Sequence, residues 1–331
     1  MLLLPALISS FAPAEAAGFE VKTMRAPLSA SEVERSLIIG RGWLEFGLGA
    51  DVKFANGYWD ENGKAQDFEG ARWLYTTERI GIRYGITRRS EFYWQVPFHY
   101  VQLTNEKLGT NTSDFGLGDM HFGYRFEWFR KDAPLTSVVT EVEIKAPSGS
   151  EAPASYIGGP NTVESIVLST GQPDLYIGLK AKQQLGPVAI SGGATYIHRF
   201  SAVTQFTVEV EEYQFAGRFR PGDEVRVNLE PMVQLGPVAI SAEGVFGYRL
   251  NAAMGTTSKG IIPDANLDPI VGTNGWYLDV NPGIVAHITR GFDVDLGASI
   301  PIRGEDLAFW PLEEISPTRG ITGSATLELR Y

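Results

Sequence analysis

Twelve runs of alternating apolar and polar residues between residues 41 and 331 constrain this chain most strongly. In the first run, Leu44, Phe46 and Leu48 share one face, while Glu45 and Asp51 share the other. A period of two places successive side chains on opposite faces of a β-strand. The runs are about 11–14 residues long, more than the roughly 5–6 of soluble sheets and enough for tilted strands that cross a bilayer.

The connections between the runs alternate strictly in length. The short ones are 87–90, 130–133, 185–187, 235–237 and 289–291. The long ones are 55–68, 104–113, 147–171, 201–221, 252–274 and 304–319. This interleaving places every long loop at one end of the sheet, as in outer-membrane barrels with short periplasmic turns and long extracellular loops.

The apolar faces have two possible partners. A soluble β-sandwich would bury them between two sheets, whereas a membrane barrel would turn them toward lipid. The opposite rows are rich in Gly, Tyr, Gln, Glu and Arg, which suits a crowded polar lumen better than a solvated surface. We therefore predict an all-β fold for residues 41–331: a 12-stranded antiparallel up-and-down transmembrane β-barrel of the outer membrane.

The N-terminal region divides into two segments. Residues 1–16 are apolar up to Phe11 and carry the small-x-small sequence Ala14-Glu15-Ala16, which predicts a signal peptide cleaved after about Ala16. A buried N-terminal helix is the alternative, which Pro5 and Pro13 disfavour. Residues 17–40 are predicted to stay in the periplasm or to plug the lumen.

Composition excludes several classes of protein. The net charge of −11 argues against a nucleic-acid partner, because phosphate binding requires a positive surface. The absence of cysteine argues against disulfide scaffolds and cysteine-based metal fingers. No phosphate-binding loop or metalloprotease motif is present, and we expect no cofactor and no metal.

Charged and polar residues on the inner rows are candidates for lining a pore. These lumen-lining candidates are Arg79, Arg83, Gln95, His99, His121, Arg125, Glu141, Glu143, Lys180, Lys182, Arg226, Glu230, Glu243, Arg249, Asp279, Asp293 and Asp295. They would either set up a transverse field that orients solutes or form wall ion pairs that neutralise one another. His99 and His121 would be cross-strand neighbours if their hairpin paired symmetrically, as a two-imidazole metal site or as a polar pair without a ligand.

Several residues fit a regular barrel poorly. Glu78 falls on the lipid face, where a nearby bulge or a position close to the interface would lower its cost. Pro97, Pro231, Pro282 and Pro301 lie inside runs, and each removes a ladder hydrogen bond. They predict either local bulges that shape the barrel or a lateral gap through which apolar cargo leaves the lumen.

The end of the printed sequence carries an assembly pattern. Leu327, Leu329 and Tyr331 occupy every second position of the last run. A terminal aromatic residue in register with an apolar strand resembles the signal that outer-membrane proteins present to the barrel assembly machinery, which binds a free strand edge by β-augmentation.

Glycine- and aspartate-bearing motifs precede two of the strands. They are Asp114-Phe115-Gly116-Leu117-Gly118-Asp119 and Gly171-Gln172-Pro173-Asp174-Leu175-Tyr176-Ile177-Gly178-Leu179, and Gly40-Arg41-Gly42 begins the first run. With these motifs, residues 40–331 resemble the outer-membrane family named for the MetA pathway of phenol degradation. The resemblance implies a transporter-like barrel involved in the uptake of aromatic or other apolar compounds, without a catalytic motif.

Three functions remain in competition. We predict a passive channel for small molecules, with membrane lipid and a small-molecule solute as partners. A structural or assembly-related barrel with a plugged lumen is the alternative. An outer-membrane phospholipase is the third, which requires a Ser-His-Asn site; His99, His121, His198 and His287 lie in no recognisable arrangement of that kind.

Overall fold

A computed structural model describes most of the chain as one closed sheet. Residue 29 and residues 31–60, 62–68, 70–107, 109–149, 168–169, 171–208, 213–256, 267–269, 273–305 and 319–331 are described. Twelve antiparallel strands follow one another around a barrel, and the first strand pairs with both the second and the last. The predicted 12-stranded antiparallel barrel is confirmed.

The barrel strands are numbered in chain order. They are β1 Leu44–Trp59, β2 Ala71–Thr87, β3 Ser90–Asn105, β4 Met120–Asp132, β5 Leu135–Ala146, β6 Asp174–Leu185, β7 Val188–Arg199, β8 Glu224–Leu235, β9 Val238–Arg249, β10 Gly275–Thr289, β11 Phe292–Glu305 and β12 Arg319–Arg330. Eight have the predicted length, and β1, β2, β3 and β10 are longer, with 16, 17, 16 and 15 residues.

The ladder between β1 and β12 closes the barrel. It runs from the pair Glu45 and Arg330 to the pair Gly57 and Arg319. Next to the pair Glu45 and Arg330, the amide of Leu44 donates to the carbonyl of Tyr331 at 3.0 Å, and the amide of Tyr331 donates to the carbonyl of Leu44 at 2.8 Å. No free strand edge is left at this seam, which removes the usual template for aggregation.

Five tight turns mark one end of the barrel, here called the turn end. They lie at 88–89, 133–134, 186–187, 236–237 and 290–291. The repeated Leu-Gly-Pro sequences form two of them, and Gly186 and Gly236 adopt φ of 68° and 63°. A side chain is strained at such positive φ values, so glycine suits both turns. The turn predicted at 130–133 lies farther along, because β4 extends to Asp132.

The opposite end, called the loop end, has more strand than predicted. The long loop expected at 104–113 is wrong: β3 extends to Asn105, and a strand Thr110–Leu117 pairs with its second half. The loop expected at 55–68 contains the end of β1 and a short strand Ala65–Asp67. A second sheet contains Ala202–Val208, Tyr213–Arg220, Ala253–Thr256 and Asp268–Pro269, in regions expected to be loops. Residues 150–167 and 306–318, within two further expected loops, lie outside the described residues.

Large apolar side chains cover the outside of every strand. One exposed example from each strand, in order, is Leu48, Ile80, Phe92, Tyr124, Val142, Leu179, Ile190, Val227, Ile240, Ile284, Leu296 and Leu327. A continuous apolar surface of this extent marks a membrane or an interface, and a band around a closed barrel fits a lipid-facing belt. The sandwich alternative is wrong, because these side chains face outward from a single closed sheet.

Exposed aromatic side chains flank the belt at both ends. Tyr84, Phe92 and Trp128 lie near the turn end, and Phe200 and Tyr248 lie near the loop end. Amphipathic rings are favoured at the two membrane–water interfaces.

Helical structure is scarce in the described residues. One 3-10 helix spans Glu32–Glu34, ahead of β1. None of the described helices is long and apolar enough to span a membrane.

The four strand prolines differ in their effect on the wall. At Pro97 the wall contains a bulge: residues 118–120 of the neighbouring segment lie opposite only two residues of β3. At Pro301 the register with β10 also shifts. At Pro231 and Pro282 the ladder is interrupted without a shift, so the bulge predicted at all four prolines is wrong for these two.

Glu78 faces outward, as predicted. The suggested bulge is wrong, because the ladder between β1 and β2 is continuous through the pair Ala50 and Glu78. Toward the loop end the outer row of β2 continues as Thr76, Leu74 and Arg72, so it becomes more polar beyond Glu78. The carboxylate therefore lies in the loop-end half of the apolar belt, where a charge costs less than at the bilayer midplane.

Candidate functional site

The segment before β1 enters the barrel from the turn end. Val33 is buried against Ala189, Met232 and Ala239 on the inner wall. Ile38 and Ile39 are also buried. Of the predicted segment 17–40, the described residues therefore lie in the lumen; residues 17–28 and 30 lie outside the described residues.

Polar contacts fix this segment to five different strands. Arg35 donates to Asp293 on β11 at 2.5 Å and to Glu32 within the segment at 3.1 Å. The Glu32 carbonyl accepts from Lys182 on β6 at 2.7 Å, and the Glu32 amide donates to Gln234 on β8 at 2.9 Å. Two further contacts follow at β3 and β4: the Ile39 amide donates to Glu91 at 2.7 Å, and Ser36 donates to Glu127 at 2.5 Å. These contacts hold residues 31–39, here called the plug, against the inner wall. Of its buried polar atoms, Arg35 Nη2 has no hydrogen-bond partner among the described residues.

The passage from the plug to β1 requires glycine. Gly40 and Gly42 have φ of 81° and 77°, and the Gly42 amide donates to the carbonyl of Gly85 at 2.8 Å. A Cβ on Gly85 would lie 1.6 Å from the Gly40 carbonyl oxygen. The Gly-Arg-Gly sequence noted above is therefore the bend that brings the chain out of the lumen.

Acidic and basic side chains alternate on the lumen wall beside the plug. Glu91 is fully buried and accepts from Arg83 and Arg125, each at 3.0 Å. Arg83 also binds Glu45 at 2.8 Å, and Arg125 binds Glu141 at 2.7 Å. Each carboxylate lies between cations, so the desolvation cost of burial is offset pair by pair.

The remaining predicted residues of this half also lie on the inner face. Lys180 binds Glu141 at 2.5 Å, and Arg79 binds Asp51. Asp293 accepts from Arg35, Arg330 and His287, and Glu230 accepts from Ser191 at 3.0 Å. Asp295, Gln95 and Glu143 continue the inner rows of their strands. These contacts favour the wall ion pairs over a transverse field.

The proposed pairing of His99 with His121 is wrong. His121 lies opposite Gln95 and binds Glu143 at 2.7 Å, while His99 lies opposite Gly116 and contacts Thr77 at 3.0 Å. The hairpin turns at residues 106–109, earlier than a symmetric pairing of the two histidines requires. Within the described ranges no group of three metal-ligating side chains occurs.

A second network surrounds Glu224 at the loop end. The carboxylate is buried and accepts from Arg199 at 2.9 Å, Arg226 at 2.9 Å, Arg249 at 3.4 Å and the Tyr277 hydroxyl at 2.7 Å. Two acids that were predicted from the sequence, Glu243 and Asp279, lie near Glu224, which was not predicted. Glu243 accepts from Asn228 at 2.7 Å and Asn281 at 3.0 Å, and Asp279 lines the same space.

Asp223, between the second sheet and β8, faces away from this network. Its carboxylate accepts from Tyr196 at 2.6 Å and contacts His198 at 3.1 Å. Burial raises its pKa, but hydrogen bonds from Tyr196, the Arg199 amide and His198 outweigh burial and hold the pKa below its usual value. The charge of Asp223 is therefore held outside the lumen.

An apolar patch on the inner wall was not predicted. Trp73, Tyr75, Val101 and Leu103 on β2 and β3 are buried on the lumen side of the loop half. They pack with Ala55, Ala71, Phe68 and Leu168. Their positions could have been read from the sequence, because they share the inner parity of Tyr75 and His99.

In the part of the chain that the structure describes, the wall opens beside this patch. The ladder between β11 and β12 ends at the pair Ser299 and Thr322, although both strands continue toward the loop end. Beyond this point β12 stays paired with β1, and β11 stays paired with β10. A cavity of about 950 Å³ lies here, between the outward-facing Phe54 and Ile321 and the inward-facing Trp73. We call this opening the wedge.

Comparisons with known proteins agree with the fold. No protein-family model matches the chain, and no curated protein matches it. The crystal structure of an outer-membrane channel from Pseudomonas putida F1 is similar with a TM-score of 0.67 at 10% identity, over 88% of this chain and 96% of that one. The translocator domain of the autotransporter NalP from Neisseria meningitidis gives 0.48 at 11% identity, over 88% and 89%. The P. putida toluene transporter TodX gives 0.38 at 10% identity, over 88% and 91%. The chain thus shares the barrel fold of the P. putida F1 channel.

Proposed function

We propose that this protein is an outer-membrane channel for the passive passage of small apolar molecules. The observation that carries the proposal is the apolar inner patch around Trp73 and Leu103, beside a break in the wall. A pore for hydrophilic solutes does not require aromatic side chains on its inner face, whereas binding sites for apolar molecules are lined by them.

The wedge supplies a route between the patch and the bilayer. Residues of both wall faces line its cavity, with Trp73 inside and Phe54 and Ile321 outside. An apolar solute that reaches the patch from the loop end can move into lipid without crossing the charged network around Glu91. The plug closes the direct path toward the turn end. This is the lateral gap that the prolines suggested, beside Pro301.

Several features of the barrel also support a cellular location. The apolar belt, the aromatic flanks and the fold shared with an outer-membrane channel support an outer-membrane location. Residues 1–16 act as the cleaved signal peptide in this proposal. Leu327, Leu329 and Tyr331, on the outer row of β12, act as the assembly signal; Leu327 and Tyr331 are exposed to the lipid side.

The nature of the cargo is narrowed by the sequence motifs. The resemblance to the family named for the MetA pathway of phenol degradation supports aromatic compounds. The rings of Trp73 and Tyr75 stack 5.6 Å apart inside the buried patch, and Trp73 also lines the wedge cavity. Flat apolar rings stack well on an aromatic side chain of this kind.

Whole cells with an intact lipopolysaccharide leaflet test this function. The neutral dye N-phenyl-1-naphthylamine fluoresces when it reaches the apolar interior of the membrane, and lipopolysaccharide slows its uptake. We expect faster uptake in cells that carry the protein than in cells without it. The variant Trp73→Gln, which makes the patch polar, should lower the rate. Trp128→Gln, the same change at an exposed outer residue that does not line the wedge cavity, should not. Equal rates with and without the protein would contradict the proposal.

The plug favours a second candidate, a structural barrel with a closed lumen. Its polar groups are paired to five strands, which suits a permanent closure. Liposome swelling in graded sugars together with dye uptake separates the two candidates. A structural barrel passes neither sugar nor dye, whereas the proposed channel admits the dye. Release of fatty acid from phospholipid by the purified protein would instead support the enzyme alternative.

A further inference from the structure

A separate polar cavity lies in the loop half of the lumen. Its volume is about 450 Å³. The cationic side chains that line it are Lys53, Lys180, Arg226 and Arg249, and the acidic ones are Glu224, Glu243 and Asp279. These residues come from β1 and from β6 to β10, so the cavity spans the barrel.

Positive charge exceeds negative charge around Glu224. The single carboxylate serves the three guanidinium groups of Arg199, Arg226 and Arg249. Two other acids line the cavity: Glu243, which is bound by two neutral amides, and Asp279. With Arg199 and with the Glu141 carboxylate that binds Lys180, the site holds five cations and four acids, an excess of one positive charge. A buried excess of cations attracts an anion strongly, because the surroundings screen charge poorly.

Arg226 is the guanidinium that a solute in the cavity can reach. Its side chain is 42% exposed, whereas those of Arg199 and Arg249 are 4% and 5% exposed. Its Nε donates to Glu224 and to the Tyr277 hydroxyl, and its Nη2 donates to Glu224. These bonds fix the group before a ligand arrives, so binding costs little side-chain entropy.

The polar cavity borders the apolar one. Trp59 on β1 packs against Val245 and Tyr277, which line the polar cavity. Trp59 also lines the wedge cavity together with Trp73 and Phe54. One indole ring therefore lies between a cationic compartment and an apolar compartment.

We propose that the polar cavity binds the carboxylate of small amphipathic acids, with the headgroup on Arg226 and the apolar body along Trp59 toward the wedge. Guanidinium groups recognise carboxylates through parallel, charge-assisted hydrogen bonds. The inference rests on the proposed function and narrows its substrate class to apolar molecules with one anionic end.

Calorimetric titration of the detergent-purified full chain with two matched probes tests the proposal. The probes are 4-phenylbutyrate and the uncharged 4-phenylbutanol. We expect the acid to bind roughly tenfold or more tightly than the alcohol, the effect of one charge-assisted hydrogen bond. Arg226→Gln should abolish this preference and leave binding of the alcohol unchanged. Tyr277→Phe, which removes a hydroxyl that holds Arg226, should weaken binding of the acid alone.

Arg79→Gln is the matched control, because it removes the same charge from a lumen position that pairs with Asp51 and does not line this cavity. Equal binding of acid and alcohol to the wild-type protein would overturn the proposal, as would an equal loss in the Arg79 and Arg226 variants. If Arg226→Gln does not give a heat-modifiable folded barrel, the Tyr277→Phe result decides. If the wild-type protein takes up the dye but binds acid and alcohol equally, the subsite is wrong and the proposed channel stands. If the wild-type protein does not speed dye uptake, the channel itself is wrong.

Discussion

Arg35, in the plug, and Asp293, on β11, form an ion pair of 2.5 Å inside the turn end of the barrel. Both side chains are almost fully buried, at 7% and 1% exposure. The pair joins residues 258 positions apart. Asp293 also accepts from Arg330 and His287, which ties the plug to the closing strand.

Arg35→Gln should loosen the plug. Breaking a buried ion pair from one side costs about 3–5 kcal/mol, and the two remaining partners of Asp293 should keep the cost toward the lower end. We expect the single-channel conductance in planar bilayers to rise and to fluctuate more. Arg72→Gln, which removes the same charge from an exposed pair with Glu106, is the control. A conductance equal to that of the control would show that the plug does not depend on Arg35.

Glu91→Gln should destabilise the folded barrel. Glu91 is fully buried between Arg83 and Arg125 and also accepts from the plug amide of Ile39. Removal of its charge leaves the partly exposed Arg83 and Arg125 with Glu45 and Glu141 alone, so the cost should be about 3 kcal/mol, the low end for a buried pair. The free energy of unfolding in urea, measured in lipid vesicles, checks this. Glu106→Gln, in the exposed pair with Arg72, should change it by less than about 0.5 kcal/mol; equal effects would refute the network as a source of stability.

Glu78→Leu should stabilise the barrel slightly. The carboxylate lies in the loop-end half of the lipid-facing belt, where a charge costs less than at the bilayer midplane. The same urea experiment should show a small gain in the free energy of unfolding. A loss of stability would mean that Glu78 has a favourable partner in the membrane.

Much of the fold was predictable from the sequence because its signal is local. A period of two assigns each side chain to a face without knowledge of its neighbours, so Arg83, Glu141 and Asp293 could be assigned to the polar rows of their strands. The tight turns at Gly186 and Gly236 were likewise visible in the repeated Leu-Gly-Pro sequence. The number of strands then follows from counting the runs.

The partners across strands were not predictable, because a single bulge changes the register of everything beyond it. The extra residue opposite Pro97 and the early turn at 106–109 separate His99 from His121. Glu224 lies before its run of apolar residues, and its three arginines come from three strands. The path of residues 31–40 through the lumen likewise depends on tertiary contacts that no local pattern encodes.

Closing the wedge should block the lateral route. The register of Ser299 and Thr322 would make Ile300 and Ile321 the next partners, and the chain contains no cysteine. Oxidation of the variant with both Ile300→Cys and Ile321→Cys should lower the rate of dye uptake, and reduction should restore it. Cysteines at Leu296 and Ala325, which are already paired, provide the control. Equal uptake in the oxidised and reduced closed variant would rule out this route.

The most direct test of an apolar binding surface inside the barrel is a crystal of the full chain soaked with bromobenzene. Bromine scatters anomalously, so its position can be located without assumptions about the ligand. We predict an anomalous peak inside the barrel, in contact with Trp73 and Leu103. Peaks confined to the outer belt, with none at the inner patch, would contradict it.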